Sequence, residues 1–298
     1  MKKKKIGISV GIMAYNEEQN VAHLLNALLR QNMHFFTIQE IIIVSSGSTD
    51  RTNQIAGSFA KRYKKIKLLT QRKREGKWSA INVFLKNAKN QILVLASADI
   101  IPKDDAVEKL CMPLLSKNIG IVGSHPIPVN SKDSLMGRII HIQWKLHHLL
   151  SLKKPKFGEM IAFLNIIPPI GPTAVDEEFI AMHMQRQGYR GVYASDALVL
   201  MKGPGTMREF IRQKRRIHAG HMNLKKKHGY RAASLSKAEQ ISLLTFSLVW
   251  QNFFPLATGA VLDGLARVIA RIDLIINRDH AVWKISPSTK TFLSSKKI

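Results

Sequence analysis

A chain of 298 residues, 45% of them apolar, has ample material for a buried core, which excludes disorder throughout. Its 46 Lys and Arg against 20 Asp and Glu leave a net charge of +26, and such a surplus calls for a polyanionic neighbour: nucleic acid, an anionic membrane or a phosphorylated substrate. The single cysteine, Cys111, excludes an intramolecular disulfide and a Cys-rich zinc site, and is read as a small core residue.

Lys2 to Lys5 and the apolar residues that follow imitate a signal peptide, but the apolar part is short. It also runs into Tyr15, Asn16, Glu17 and Glu18 with no small-residue cleavage site. The segment reads as a basic tail and a first strand over residues 6–13. Asn20 is placed to cap a helix in which Val21, Leu24, Leu25, Leu28 and Leu29 share one face. Ile41, Ile42, Ile43 and Val44 form a second strand, ended by the turn residues Ser45, Ser46, Gly47, Ser48, Thr49 and Asp50. A helix over 52–63, a strand over 66–69, a turn at Gly76 and Lys77 and a helix over 78–88 follow. The next stretch, 90–102, is an uncharged apolar run that opens into Ser97, Ala98 and Asp99 and stops at Pro102. It predicts a buried strand carrying one carboxylate to its carboxyl end, where open α/β sheets bind ligands. Strands alternating with helices imply an α/β fold with a mostly parallel sheet covered on both faces.

Beyond Pro102 the pattern predicts a helix over 104–115, a strand over 119–124 and a basic helix over 133–152. That helix carries His141, Trp144, His147 and His148. A segment punctuated by Gly and Pro, 158–172, leads to a helix beginning at Asp176, a short strand over 192–194 and a helix over 206–219. Lys225 to Lys227 are taken to close the globular body. His218 and His221 lie three apart on a helix but have no acid paired with them in sequence, so they are left outside any metal site.

Six motifs stand in one order: Tyr15, Asn16, Glu17, Glu18; Ser45 to Asp50; Gly76 and Lys77 with Ala80 and Asn82; Ser97, Ala98, Asp99; Asp176 and Glu177; and Gln213, Lys214, Arg215, Arg216, Ile217. As an ordered set over residues 6–220 they resemble the family 2 glycosyltransferases of GT-A fold, a Rossmann-like α/β architecture. The resemblance implies an inverting transferase that moves a sugar from a nucleotide-sugar donor, assisted by Mg²⁺ or Mn²⁺. It implies donor contacts from Tyr15, Asn16, Glu17, Ser46, Lys77, Ser97, Gln213, Arg215 and Arg216. It also implies Asp99 as the metal anchor and Glu177, with Asp176 second, as the base. The chemistry asks for the same residue types: positive charge on the departing diphosphate, and a base facing the acceptor hydroxyl. Three adjacent acids, Asp176, Glu177 and Glu178, are expected to raise one another's pKa. Three positions depart from the family pattern, with Ser46 and Ser97 where acids are expected and Ile217 in place of a tryptophan. The last implies transfer of one or a few sugars rather than long polymer synthesis.

Residues 241–262 carry no charge and match the ~20 residues that cross a bilayer, yet they contain Pro255 and several polar side chains. Residues 263–276 are amphipathic, with Arg267 and Arg271 four apart. Basic residues on both sides argue against a simple span and for a membrane-embedded or interfacial hairpin kinked near Pro255. Three units result: 1–103 for the nucleotide-sugar, 104–235 for the acceptor and catalysis, and 236–298 as a membrane-associated tail. The expected partners are a nucleotide-sugar, a lipid-linked or glycan acceptor and an anionic membrane, at the cytoplasmic face. Nucleic acid is not expected, because no recognised motif accompanies the charge. A nucleotidyltransferase on a related fold, or a degraded binding module, are the alternatives.

Overall fold

The computed structural model describes residues 4–232 and 246–290. Its eight-stranded sheet is built from β1 (Ile6–Ala14), β2 (Phe36–Ser46), β3 (Ile66–Gln71), β4 (Ile92–Ser97), β5 (Ile100–Pro102), β6 (Ile119–Pro128), β7 (Met160–Leu164) and β8 (Arg190–Met201). The spatial order is β3-β2-β1-β4-β7-β6-β8-β5. β1, β2, β3 and β4 pair in parallel, as do β6 and β8, whereas β7 lies antiparallel between β4 and β6, and β5 is antiparallel to β8. The parallel half matches the sequence expectation, and the second half is mixed.

Alternate residues of a strand point to opposite faces, and the core divides accordingly. Ile8, Val10, Ile12, Ile41 and Ile43 face α1 (Val21–Leu29), α2 (Thr52–Arg62) and α4 (Ala106–Cys111); Cys111 is buried in that layer, as expected. Ile42, Val44, Leu93 and Leu95 face α3 (Lys77–Asn87) and α6 (Asp176–Arg186), with Phe84, Phe179 and Ile180 between them. Gly11 lets the Phe84 ring lie on β1; a Cβ there would come within 2.6 Å of it.

α5 (Leu135–Lys153) is capped by Ser134, whose hydroxyl accepts from the Gly137 N–H at 3.0 Å. α7 (Met207–His228) is capped by Thr206 and ends at Gly229 in the left-handed region, so Lys225 to Lys227 belong to its last turn rather than following the body. α8 (Phe246–Ile275) packs along α7 and α5.

Five expectations change. Asn20 does not cap α1: its amide donates instead to Glu17 Oε2 at 2.9 Å. The strand expected over 192–194 is the 12-residue β8, and the punctuated segment 158–172 contains β7. The stretch 90–102 is two strands, because the chain turns at Ala98 and Asp99 and β5 leaves for the far edge of the sheet. The break in the C-terminal helix falls at Asn252, three residues before Pro255, whose ring disrupts the preceding turn. From there the helix is continuous to Ile275, so no hairpin turn falls within it; residues 241–245 of the uncharged stretch lie outside the described residues.

Candidate active site

At the carboxyl end of the parallel half, the turns after β1, β2 and β4 meet. Asn16 adopts a left-handed conformation (φ 52°), an arrangement asparagine tolerates better than most residues. There its backbone N–H donates to Ser48 Oγ at 3.1 Å and its side-chain oxygen accepts from the Thr49 N–H at 2.8 Å. Glu17 N–H donates to Thr52 Oγ1 at 2.7 Å, and Glu18 N–H to Asp50 at 3.1 Å. The second turn therefore braces the first. Gly47, at φ 67°, permits this, since a Cβ would meet the Arg74 backbone at 2.7 Å. Ser46 Oγ and Asp176 Oδ1 are both buried and have no hydrogen-bond partner among the described residues.

A cavity of about 1000 Å³ opens from these turns. Among its walls are Tyr15, Glu17, Ser46, Lys77, Ser97, Asp99, Asp176, Glu177, Gln213, Arg215 and Arg216, so every sequence-expected site residue except Asn16 reaches it. Asn82 keeps the acid-bearing segment in place: its side-chain amide donates to the Ile170 carbonyl and its oxygen accepts from the Ile170 N–H, both at 2.8 Å.

The acids are not equivalent. Burial pushes Asp176 up to about 7, against the pull of Lys77. Burial also works to raise Glu177, but the Lys77 charge and its hydrogen bond, with help from Arg216, outweigh it and hold that carboxyl below its ordinary range. Mutual elevation of the three acids, expected from their adjacency, is thus overturned at Glu177 by the lysine that α3 delivers to it. Glu178 is pushed up to about 7 by burial and faces the other way, accepting from Tyr230 Oη at 2.8 Å.

Asp99 lies where β4 ends, and two further carboxyls feel its charge. Burial, then Asp99, raise Glu17 to about 7; the same two causes raise Glu159 to about 8. Glu159 was not legible in the sequence. It precedes β7 in a left-handed conformation (φ 54°), unusual for a non-glycine residue, and its carbonyl accepts from the Ser97 N–H at 3.0 Å. Carboxyls that repel one another are what a cation relieves, so this corner fits a divalent ion held by Asp99. No group of three His, Cys, Asp or Glu with ligand geometry occurs among the described residues, which leaves the rest of a coordination shell to phosphate oxygens and water.

The cationic residues divide. Arg216 Nη1 donates to the Ala174 carbonyl at 2.8 Å, and its charge lies within reach of Asp176, Glu177 and Glu159. Arg215, expected among the donor contacts, lines the cavity and is held in a two-pronged pair by Asp273 of α8, at 2.5 Å for each prong. Lys214 lies 3.8 Å from Asp263, also on α8, and His218 Nε2 is 3.0 Å from the same carboxylate. The acid missing beside His218 in sequence thus comes from 45 residues away.

The C-terminal segment, which the sequence reading placed at the membrane, returns over the turn after β1. Lys290 pairs with Glu17 and donates to the Tyr15 carbonyl at 3.2 Å. Trp283 stacks on Arg216 and its carbonyl accepts from Arg74, which in turn covers the Tyr15 ring at 4.0 Å. Gly76 makes room for this segment: a Cβ would meet the Ala281 carbonyl at 2.6 Å.

The family model described as "Glycosyl transferase family 2" matches residues 9–170. The chain is 24% identical over 233 residues to the probable glycosyltransferase YdaM of Bacillus subtilis, covering 72% of this chain and 55% of that protein. It is 28% identical over 133 residues to the dolichyl-phosphate beta-glucosyltransferase ALG5C of Trichomonas vaginalis, covering 42% and 38%. The chain thus spans 38% to 55% of the length of these relatives. Among solved structures, the mannosyltransferase PcManGT of Pyrobaculum calidifontis, in complex with GDP-Man and Mn²⁺, superposes with a TM-score of 0.66 at 18% identity, covering 93% of this chain and 89% of that one. That likeness is one of fold.

Proposed function

Because the chain belongs to glycosyl transferase family 2, we propose that it moves a sugar from a nucleotide-sugar to a hydroxyl of a lipid-linked or cell-envelope glycan acceptor, with inversion at the sugar carbon. The observation that carries this reading is the meeting, on one cavity, of Asp99 from the end of β4, Glu177 from the start of α6 and Arg216 from α7. Tyr15, Glu17 and the unpartnered Ser46 hydroxyl hold the nucleoside, and Arg216 lies against the diphosphate. Glu177, kept ionised by Lys77, takes the proton of the acceptor hydroxyl as its oxygen bonds to the anomeric carbon and the bond from that carbon to the diphosphate breaks. A divalent cation, Mg²⁺ or Mn²⁺, held by Asp99 supplies positive charge for the leaving nucleoside diphosphate. Inversion follows from a single displacement with one base.

In this reading residues 1–103 take the donor, residues 104–235 take the acceptor and residues 236–298 form the tail, whose stretch 279–290 also serves the donor side. Membrane association rests on α8. Its residues Asn252–Ile275 are long and apolar enough to cross a bilayer, and Phe254, Val261, Leu265, Val268, Ile272 and Ile275 form an exposed apolar stripe. Arg267 pairs with Asp263, and in this reading the stripe meets the membrane at its cytoplasmic face with Arg271 and Arg278 beside it. Incubating the full chain with a panel of nucleotide-sugars, with Mn²⁺, Mg²⁺ or EDTA, tests the proposal. Release of nucleoside diphosphate that Glu177→Gln abolishes supports it, and release of pyrophosphate from a nucleoside triphosphate and a sugar phosphate sinks it.

A further inference from the structure

Away from Tyr15 and Glu17, the cavity continues between α5, α7 and α8, and its lining changes character. The walls become apolar, with Ile139, Ile142, Leu150 and Leu256 among them, and α8 crosses α5 closely at Gly259, where a Cβ would stand 3.1 Å from Ile139. Into this apolar space project Lys156, Lys214 and Arg267. Two of these cations share one acid: Asp263 lies 3.8 Å from Lys214 and 3.5 Å from Arg267, and it also pairs with His218 at 3.0 Å. Lys156 makes no ion pair or hydrogen bond with its ammonium among the described residues, although burial and the Lys214 charge pull it down to about 8. The same field reaches the neighbours. His147 and His221 are both held below their ordinary range by burial and then by Lys156. Glu178, the other acid within reach of Lys156, is itself pushed toward neutrality by burial and turned to Tyr230.

A half-buried ammonium that makes no ion pair of its own and feels Glu178 and Asp263 only at a distance, beside two cations sharing one carboxylate, is costly unless an anion completes the set. In the reading above the diphosphate is taken by Arg216 and Asp99, which leaves this cluster for another anion. We propose that the part of the cavity where Lys156, Lys214 and Arg267 converge binds the phosphate of an acceptor carried on an apolar chain. The apolar walls take the first part of the chain, the three cations take the phosphate, and the acceptor's reacting hydroxyl is left toward Glu177. This rests on the glycosyltransferase reading and names the acceptor's chemical class within it. The phosphate is an anchor in this proposal, and the bonds made and broken are those already given.

The test uses the full-length protein and three probes, octyl phosphate, octanol and inorganic phosphate, titrated by calorimetry. UDP and GDP with Mn²⁺ are titrated in parallel. Octyl phosphate is expected to bind at least about ten-fold more tightly than either octanol or inorganic phosphate. Lys156→Met is expected to weaken octyl phosphate by about ten-fold and leave nucleoside diphosphate binding unchanged, and Arg267→Gln, on another helix, to act in the same direction. Equal affinity for octanol and octyl phosphate, or an unchanged octyl phosphate affinity in both variants, overturns the subsite. Equal affinity for inorganic phosphate and octyl phosphate assigns a soluble phosphorylated acceptor and overturns the apolar-chain half. Failure of both nucleotides to bind refutes the glycosyltransferase reading itself, an outcome distinct from these.

Discussion

The guanidinium carbon of Arg216 stands 4.0 Å from the centroid of the Trp283 ring, tying α7 to a segment 67 residues further along the chain. An arginine that must meet a diphosphate gains from being held in place beforehand, and here the stack and the Ala174 carbonyl hold it from two sides. A cation–π contact of this kind contributes about 0.5–2 kcal/mol. Trp283→Ala is therefore expected to weaken UDP or GDP binding by roughly 2- to 30-fold, and Trp283→Phe by less. Calorimetry with Mn²⁺ present checks this, and an unchanged affinity in the alanine variant would show that the tail takes no part in donor binding.

Lys77 and Glu177 set the ionisation of the proposed base. Glu177→Gln removes the proton acceptor without changing shape, so turnover is expected to fall about 100- to 10,000-fold while nucleoside diphosphate affinity holds. Asp176→Asn, which removes the carboxyl that burial pushes to about 7, is expected to cost less. If Asp176→Asn proves the more damaging of the two in single-turnover assays, the base assignment moves to Asp176.

Asp99 is expected to carry the metal dependence. Asp99→Asn should abolish the increment in nucleotide affinity that Mn²⁺ produces in the wild-type protein, and EDTA should lower wild-type turnover to the level of that variant. Equal Mn²⁺ enhancement in wild type and variant would remove Asp99 from the site.

The parallel half of the sheet was legible because it is local: β1, β2 and β4 are short apolar runs ending in turn residues, and Asp99 follows directly from where β4 stops. Less legible was anything set by a distant partner. Arg215 reads as a donor contact beside Arg216, and nothing in the sequence around it announces its pair with Asp273, 58 residues away on α8. Glu159 has no motif around it and enters the site only because β7 inserts antiparallel between β4 and β6. Lys290 looked like one more basic residue of a membrane tail, and its pairing with Glu17 depends on a chain return that no periodicity encodes.

Glu178 makes a prediction about pH and stability. Its carboxyl is raised from 4.5 to about 7 in the folded chain, with burial the main cause. Between those values the unfolded chain releases a proton that the folded chain keeps, so this group's contribution is complete below pH 4.5 and is lost as pH rises toward 7. The loss is on the order of 1–3 kcal/mol. Glu178→Gln, neutral in both states, escapes it. The melting temperature of that variant relative to wild type is expected to climb between pH 5 and pH 8, with no such trend for an exposed control such as Glu75→Gln; a flat difference across that window would contradict the buried, elevated carboxyl.

The apolar stripe of α8 faces outward while its acids face α7, so the two sides of the helix are separable by mutation. Phe254 is 66% exposed and Val268 53% exposed, and neither supports the core, so Phe254→Asp with Val268→Asp should leave the melting temperature nearly unchanged. At an interface each side chain contributes about 1.5–3 kcal/mol when fully buried in the acyl boundary, and less when half immersed. Juxtamembrane basic residues add about 1 kcal/mol each on an anionic surface. Co-sedimentation of the full chain with vesicles containing phosphatidylglycerol is expected to survive high salt in the wild type. In the double variant the bound fraction should fall at least about ten-fold at high salt, because only the electrostatic part then remains to be screened. Wild-type protein recovered in the supernatant at both low and high salt would place α8 at a protein contact instead of a membrane.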